Sequence, residues 1–317
     1  MSKTAFLFSG QGTFFDGMGI PVIEKHGEKK EIANILEAGE EVMGDVMPGG
    51  LPPALTKLPE DGRYIQVLIF AVSLLASAAN KADGSTPDAV AGHSLGEYAA
   101  LVEAGVLSVR DGFRIVRARA DAMHACPGSP GGMSAILGGE AGAVEDVCRE
   151  ISADGNLYVT PVNYNSPEQT VISGLIPGLE LAEERLKSRG ICKKTVRLAV
   201  PSAFHTKFMA EAAELFRKKT ESISGIVFNK PSLPFYSNLT GGELDFSGAT
   251  DSSGATDYNA FFTDYLCRHM CSPVLFTKEL AAMVSGGVTE PGGFIECGPK
   301  PTLTAFVKKT LAAGEKS

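Results

Sequence analysis

The chain has 317 residues, of which 44% are apolar and 21% charged, and its formal net charge at pH 7 is −8. This length and composition are typical of a soluble globular protein with one large core, or with a large and a small domain. The acidic balance argues against broad nucleic-acid binding, because neutralising phosphates requires clustered lysine and arginine.

The N-terminal segment predicts a buried strand rather than a secretion signal. Residues 4–8 are apolar, but Ser9-Gly10-Gln11-Gly12 follows at once, so the apolar stretch is too short for a signal peptide. The longest apolar run, residues 67–79, is shorter than the roughly 20 residues that cross a bilayer and predicts a buried helix. The six cysteines lack the spacing of a zinc site. We therefore expect free thiols, a cytoplasmic location, no metal and no membrane span.

The motif that carries most information is Gly92-His93-Ser94-Leu95-Gly96, a GxSxG pentapeptide between a short apolar run and a helical pattern. Glycines two residues either side of Ser94 allow a sharp strand-to-helix turn that presents the hydroxyl as a nucleophile. The pattern alone is weak, since about 0.3 chance matches are expected in a chain this rich in glycine. Short apolar runs alternate with longer helical patterns, which predicts an α/β sheet with Ser94 at the carboxyl end of a strand.

Residues 129–198 follow a different pattern, which predicts an inserted small domain. Strands are expected at 132–137, 157–162, 170–173 and 195–200, a turn at 163–167, and helices at 141–152 and 179–186. This βαββαβ order is that of a ferredoxin-like unit. Residues 1–128 and 199–317 then form the large domain, and we expect the functional site in the cleft between the two.

Among the five histidines, His205 is the predicted base for Ser94, because it lies where the chain returns to the large domain. Position alone supports a structural histidine equally well. His26 lies in a charged run and is predicted to occupy a solvated face, and His124 is predicted to lie on the surface. The side chain of His93 should diverge from that of Ser94 on the turn.

One predicted helix, residues 111–123, carries Arg114, Arg117 and Arg119. A solvated basic face is the simpler interpretation. The alternative is that one arginine turns inward and binds a carboxylate with two hydrogen bonds. Gln11, between two glycines, is a candidate donor to an oxyanion or an ordinary loop residue.

Together these motifs closely resemble the malonyl-CoA:acyl carrier protein transacylase family, from the first strand almost to the last helix. The matching segments are Gly10-Gln11-Gly12, residues 92–97, residues 115–123 with Arg119, residues 163–169, Ala203-Phe204-His205, Tyr236-Ser237-Asn238 and Glu296-Cys297-Gly298-Pro299. The resemblance implies an α/β-hydrolase-like large domain with a parallel sheet core, carrying the ferredoxin-like small domain.

The resemblance also implies an activity: malonyl passes from malonyl-CoA through an acyl-serine to the phosphopantetheine thiol of acyl carrier protein, for fatty acid synthesis. It implies a monomer that needs no cofactor. The implied roles are Ser94 as nucleophile and His205 as base, main-chain N–H groups of Gln11 and Leu95 as oxyanion hole, Arg119, Phe204, Asn163 and His93 as substrate-binding residues, and the main-chain carbonyl of His269 as the group that orients His205.

Three residues depart from the family pattern: Phe14 and His269 stand where glutamine is usual, and Thr206 replaces a serine. The alternative activities are a discrete acyltransferase serving a polyketide synthase or malonate decarboxylase, a serine thioesterase, and a binding module that forms no acyl-enzyme. Because carrier proteins are acidic, we expect a basic docking rim. Its candidates are Arg185, Lys187, Arg189, Lys193, Lys194 and Arg197.

Overall fold

The computed structural model describes residues 3–60, 62–126, 131–153, 155–250 and 254–314, which form two separate β-sheets with helices packed around them. The strands are β1 (Ala5–Phe8), β2 (Ala89–Gly92), β3 (Gly131–Leu137), β4 (Val159–Ser166), β5 (Gln169–Leu175), β6 (Lys194–Arg197), β7 (Phe235–Ser237), β8 (Gly242–Glu243) and β9 (Phe294–Cys297). The helices are α1 (Ile20–His26), α2 (Lys30–Met43), α3 (Leu51–Thr56), α4 (Ile65–Ala82), α5 (Gly96–Glu103), α6 (Val109–Ala125), α7 (Ala141–Ser152), α8 (Ile176–Ser188), α9 (Ala210–Ser222), α10 (Tyr258–Cys271), α11 (Phe276–Ser285) and α12 (Leu303–Gly314).

The first sheet has the order β8-β7-β2-β1-β9, and β7, β2, β1 and β9 run parallel. Successive side chains of β1 enter two different cores, Phe6 and Phe8 on one face and Ala5 and Leu7 on the other. A strand buried on both faces has no polar alternation, which is why β1 and β2 are continuous apolar runs. The predicted parallel sheet is confirmed, and Ser94 follows the carboxyl end of its central strand β2.

The second sheet is antiparallel, with the order β4-β5-β3-β6, and the chain passes through it as β3-α7-β4-β5-α8-β6. Helices α7 and α8 cover one face, and the other face carries Met133, Ala135, Val162 and Val171. The predicted turn at 163–167 is too wide: β4 continues to Ser166 because its residues pair with β5, which leaves only two residues for the turn. The predicted boundary between residues 128 and 129 lies outside the described residues.

Helix α4 is the central helix of the larger core. The segment Gly62–Ala82 is long and apolar enough to cross a membrane, but 67% of its most apolar window is buried inside the protein. Its contacts are with α2, α5 and α6, among other elements. The prediction of a buried helix at residues 67–79 is therefore confirmed, and the helix is longer than the run that indicated it.

The prediction for His26 was wrong. His26 is the last residue of α1 and its side chain is buried, with Nε2 3.8 Å from Oδ2 of Asp83. It shares a helix face with the half-buried Val22 and Ile23, which lie four and three residues earlier, while the charged neighbours point outward. His124 is exposed, as expected.

Candidate active site

The turn between β2 and α5 holds Ser94 in a left-handed backbone conformation, with φ of 52°. The flanking glycines are required by close packing: a Cβ on Gly92 would collide with the backbone of residues 96 and 97, and a Cβ on Gly96 with the carbonyl of Phe8. The main-chain N–H of Ser94 donates to Oδ1 of Asn238 over 2.7 Å. The GxSxG spacing thus produces the sharp turn that the sequence predicts.

His205 faces this serine from the segment that follows β6. Its Nε2 is 2.8 Å from Oγ of Ser94, and its Nδ1 is 3.0 Å from the carbonyl of Ser272 and 3.3 Å from the carbonyl of His269. Because carbonyl oxygens only accept hydrogen bonds, Nδ1 carries the proton and the lone pair of Nε2 points at the hydroxyl. The structure places the His269 carbonyl where the resemblance implied and adds the closer carbonyl of Ser272.

The surroundings of His205 keep it neutral. The pKa of His205 is lowered to about 4, mainly by burial and in part by the nearby Arg119 and His93, whereas the hydrogen bonds to the two carbonyls act to raise it. A neutral imidazole is the form that accepts a proton from a hydroxyl.

The oxyanion hole predicted from the sequence consists of the main-chain N–H groups of Gln11 and Leu95. The N–H of Leu95 lies at the amino-terminal, electropositive end of α5. The loop with Gln11 packs closely against the same turn, because a Cβ on Gly10 would collide with the carbonyl of His93. Within the described part of the chain, neither N–H is engaged in a main-chain hydrogen bond.

These groups open into a cavity of about 490 Å³, whose walls come from the second sheet and from the loops that follow β1 and β2, among other segments. The side chains predicted from the sequence that line it are those of Gln11, His93, Ser94, Arg119, Asn163, Phe204 and His205. Phe14, which departs from the family pattern, lines it as well. Leu95 and His269 are buried, and the main-chain carbonyl of His269 accepts from Nδ1 of His205.

Arg119 is the charged group of this cavity. It is only 3% exposed, and its guanidinium carbon lies 5.5 Å from the ring centre of Tyr98. Its Nη1 donates to the neutral side-chain oxygen of Gln66, and its buried Nε has no hydrogen-bond partner. Burial lowers the pKa of Arg119, which starts far above neutrality, so the group stays cationic. No acidic side chain of the described residues lies within ion-pair distance of it.

The other two arginines of α6 are different. Arg114 pairs with Asp111, and Arg117 binds Asp45 through two nitrogen atoms. Arg114 and Arg117 are half-buried and paired, so they do not form the solvated basic face of the first interpretation, and the arginine that lines the cavity is Arg119.

His93 connects the serine turn to the second sheet, and Asn163 lies on that sheet at the cavity. Nε2 of His93 is 2.7 Å from Oδ1 of Asn165 on β4, so the imidazole diverges from Ser94 as expected. Burial lowers the pKa of His93. Asn163 forms a backbone bridge to Val274, and its buried side chain lines the cavity.

Sequence reasoning did not assign a role to Asn238, which lies just beyond β7. Its Nδ2 donates to the carbonyl of Gly92 over 2.6 Å and to Oε1 of Glu279 over 2.8 Å, and its main-chain N–H donates to Oε1 of Glu97 over 2.6 Å. Burial raises the pKa of Glu97 to about 8. The sequence signal that could have identified it is a polar residue at the carboxyl end of β7, the strand beside β2.

The expected docking rim is only partly free. Glu150 pairs with Arg185 and Arg189, and Glu183 pairs with Arg197. Three lysines of the rim have no acidic partner within ion-pair distance among the residues that the structure covers: Lys187, Lys193 and Lys194.

The six cysteines, all inside the described ranges, are free thiols. In those ranges no three His, Cys, Asp or Glu side chains are grouped so as to hold a metal ion.

A family model of the acyl transferase domain matches residues 5–317 of the chain. The chain belongs to this family. The acyl transferase is 36% identical over 311 residues to the malonyl CoA-acyl carrier protein transacylase of Bacillus subtilis, covering 98% of this chain and 90% of that protein. The family resemblance stated from the motifs is confirmed.

Solved structures agree with this assignment. The malonyl CoA-acyl carrier protein transacylase of Clostridium perfringens matches this acyl transferase with a TM-score of 0.83 at 29% identity, covering 98% and 90% of the two chains. The malonyl-CoA:acyl carrier protein transacylase of Xanthomonas oryzae matches with a TM-score of 0.81 at 32% identity, covering 98% and 92%. A malonyl-transacylase in complex with a type II polyketide synthase acyl-carrier protein matches with a TM-score of 0.80 at 28% identity, covering 98% and 94%.

Proposed function

We propose that this acyl transferase moves malonyl groups from malonyl-CoA to acyl carrier protein through a malonyl ester on Ser94. The observation that carries the proposal is Arg119, a buried cation without an acidic partner among the described residues, in the same cavity as the Ser94–His205 pair. A buried charge is costly unless it is paired. The free carboxylate of a malonyl group supplies the missing partner and fixes the thioester carbonyl near Ser94.

In the first half-reaction, Nε2 of His205 takes the proton of Ser94 as Oγ attacks the malonyl thioester carbon. The N–H groups of Leu95 and Gln11 stabilise the oxyanion, and each such donor is typically worth about 3 to 4 kcal/mol. When the carbon–sulfur bond breaks, the His205 imidazolium returns the proton to the CoA thiolate. Malonyl-Ser94 and CoA are the products.

In the second half-reaction, the phosphopantetheine thiol of the carrier protein takes the place of CoA. His205 takes the thiol proton, the sulfur attacks the ester, and the proton returns to Oγ of Ser94. The two half-reactions share one site and one base, so we expect ping-pong kinetics. Phe204, Asn163 and His93 line the cavity around the acyl group, and the derived steps use no cofactor.

The finer description of the fold is also a proposal. We assign residues 1–128 and 199–317 to an α/β-hydrolase-like catalytic domain and residues 129–198 to a ferredoxin-like domain. The order β4-β5-β3-β6, which keeps the first and third strands of the unit in the centre, supports this assignment. The six free cysteines are consistent with a cytoplasmic location. The monomeric state stays a prediction from the sequence.

One comparison favours a second candidate function. A similar solved protein is a malonyl-transacylase bound to a type II polyketide synthase carrier protein. The chemistry at Ser94 is the same for both pathways, so the carrier distinguishes them. A discrete acyltransferase that serves a malonate decarboxylase and a serine thioesterase are further alternatives, which differ in the acceptor.

Mass spectrometry of the intact protein tests these functions together. We expect malonyl-CoA to add one malonyl group to the wild-type chain and none to Ser94→Ala, with far less addition from acetyl-CoA. Adding carrier protein should then remove the group from the enzyme and place it on the carrier. Carriers from fatty acid and polyketide synthesis, compared at equal concentration, identify the pathway. Rapid loss of malonyl to water without carrier would instead establish a thioesterase.

A further inference from the structure

The side chain of His269 lies directly behind the catalytic pair. It is fully buried on α10, and its ring centre is 5.6 Å from that of His205. While its carbonyl accepts from Nδ1 of His205, its Nε2 lies 3.2 Å from Oδ1 of Asn238. That same oxygen receives the main-chain N–H of Ser94. His269 therefore contacts His205 through its main chain. Through its side chain it contacts Asn238, which holds the main chain of Ser94.

The partners of Asn238 determine which nitrogen of His269 carries the proton. The amide nitrogen of Asn238 faces the Gly92 carbonyl and a Glu279 carboxyl oxygen, so its oxygen must face Ser94 and His269. An amide oxygen only accepts, hence Nε2 of His269 must be the donor.

The protonation state of His269 agrees with that orientation. Oε2 of Glu97 lies 3.4 Å from the same Nε2. Burial lowers the pKa of His269 well below its ordinary value, with further lowering from the charge of His205 when that residue is protonated. The imidazole is therefore a neutral donor, and its Nδ1 is without a partner among the described residues.

We propose that the His269 imidazole is a positioning residue, whose Nε2–H holds Asn238 so that Ser94 keeps its left-handed backbone and its contact with His205. A serine at positive φ is strained and persists only where neighbouring bonds enforce it. This role rests on the proposed function, because acylation of Ser94 is the step that it supports.

Two amide substitutions form a matched pair that tests the role of the donor. In His269→Gln the side-chain NH₂ reaches the position of the imidazole Nε2, whereas in His269→Asn it stops near the position of Nδ1. Both variants keep the main-chain carbonyl that orients His205. We expect acylation by malonyl-CoA within about threefold of wild type for His269→Gln and about 10- to 100-fold slower for His269→Asn, since the latter removes one of the two donors to the buried Oδ1 of Asn238.

The rates are measured by single-turnover quenching and intact mass, at saturating malonyl-CoA, for variants whose melting temperatures are recorded in parallel. Labelling of Ser94 by a small fluorophosphonate reports its reactivity without any malonyl group. If the wild-type chain reacts with the fluorophosphonate but not with malonyl-CoA, the proposed function fails while the role of His269 is still tested. Equal labelling rates in the Gln and Asn variants would overturn the role, whatever their melting temperatures.

His269→Leu is the second probe, because it replaces the imidazole donor with an apolar side chain of similar bulk. We expect it to label as slowly as His269→Asn, with an unchanged KM for malonyl-CoA. Wild-type labelling by His269→Leu would show that Asn238 holds Ser94 without help from the imidazole.

Discussion

Replacing Arg119 by methionine should remove the preference for acyl groups that carry a carboxylate. Methionine keeps an unbranched side chain of similar length and removes the charge. Acetyl groups have no carboxylate to pair with Arg119, so their transfer should be little affected. Arg119→Lys is the matched variant, since it keeps the charge but loses the planar fork that binds a carboxylate with two hydrogen bonds.

The size of the effect follows from the burial of Arg119. An exposed ion pair is worth at most about 1 kcal/mol, whereas breaking a buried one costs about 3 to 5 kcal/mol. Arg119 is 3% exposed and its polar partner, Gln66, is neutral, so the buried value applies. At 1.36 kcal/mol per factor of ten, kcat/KM for malonyl-CoA should fall about 150- to 5,000-fold in Arg119→Met.

The assay compares kcat/KM for malonyl-CoA and acetyl-CoA with the same carrier protein, for the wild type and both variants. We expect the malonyl-to-acetyl ratio to collapse in Arg119→Met and to be intermediate in Arg119→Lys. A ratio that changes less than tenfold in Arg119→Met would show that this residue does not bind the carboxylate. Equal losses for both substrates leave the ratio unchanged and would likewise refute a role for Arg119 in carboxylate binding.

Two further results are expected. Because protonated His205 cannot accept the serine proton and its pKa is lowered to about 4, kcat/KM should stay flat from about pH 7 to pH 5 and fall only below that; a tenfold loss already at pH 5.5 would contradict this. Reversing the charge of Lys193 and Lys194 to glutamate should raise the KM for carrier protein and leave the KM for malonyl-CoA unchanged. Glutamates at the exposed pair Lys29 and Lys30 are the control, and an equal effect there would exclude the proposed docking rim.

Much of the architecture was predictable because its periodicities are local. The apolar run at residues 4–8 indicated β1, and the order of strands and helices between residues 131 and 197 followed from alternating patterns. The end of β4 was not predictable in this way. Asn163, Asn165 and Ser166 favour turns in isolation, and only pairing with β5 keeps them in a strand.

Those parts of the site that belong to a local sequence motif were predictable from the sequence. Ser94 and His205 could be chosen from the turn and the histidine positions, but nothing local separated Arg119 from the other arginines of its helix. Its difference lies in Gln66 and Tyr98, which are distant in the sequence. The carbonyl of Ser272, which also accepts from Nδ1 of His205, could not be predicted either. Every residue has a main-chain carbonyl, and only the fold determines which one reaches His205.

The two carbonyls that hold His205 come from the carboxyl end of α10, where the aligned peptide dipoles concentrate negative charge. They face the imidazolium at each turnover as an aspartate does in other serine enzymes, but a peptide oxygen does not titrate in the range where enzymes work. Acidification therefore protonates His205, so that it can no longer act as a base, while both carbonyls still hold the ring in place. No side-chain substitution at positions 269 or 272 removes a main-chain carbonyl. Sequence changes at these two positions therefore leave in place the groups that orient His205.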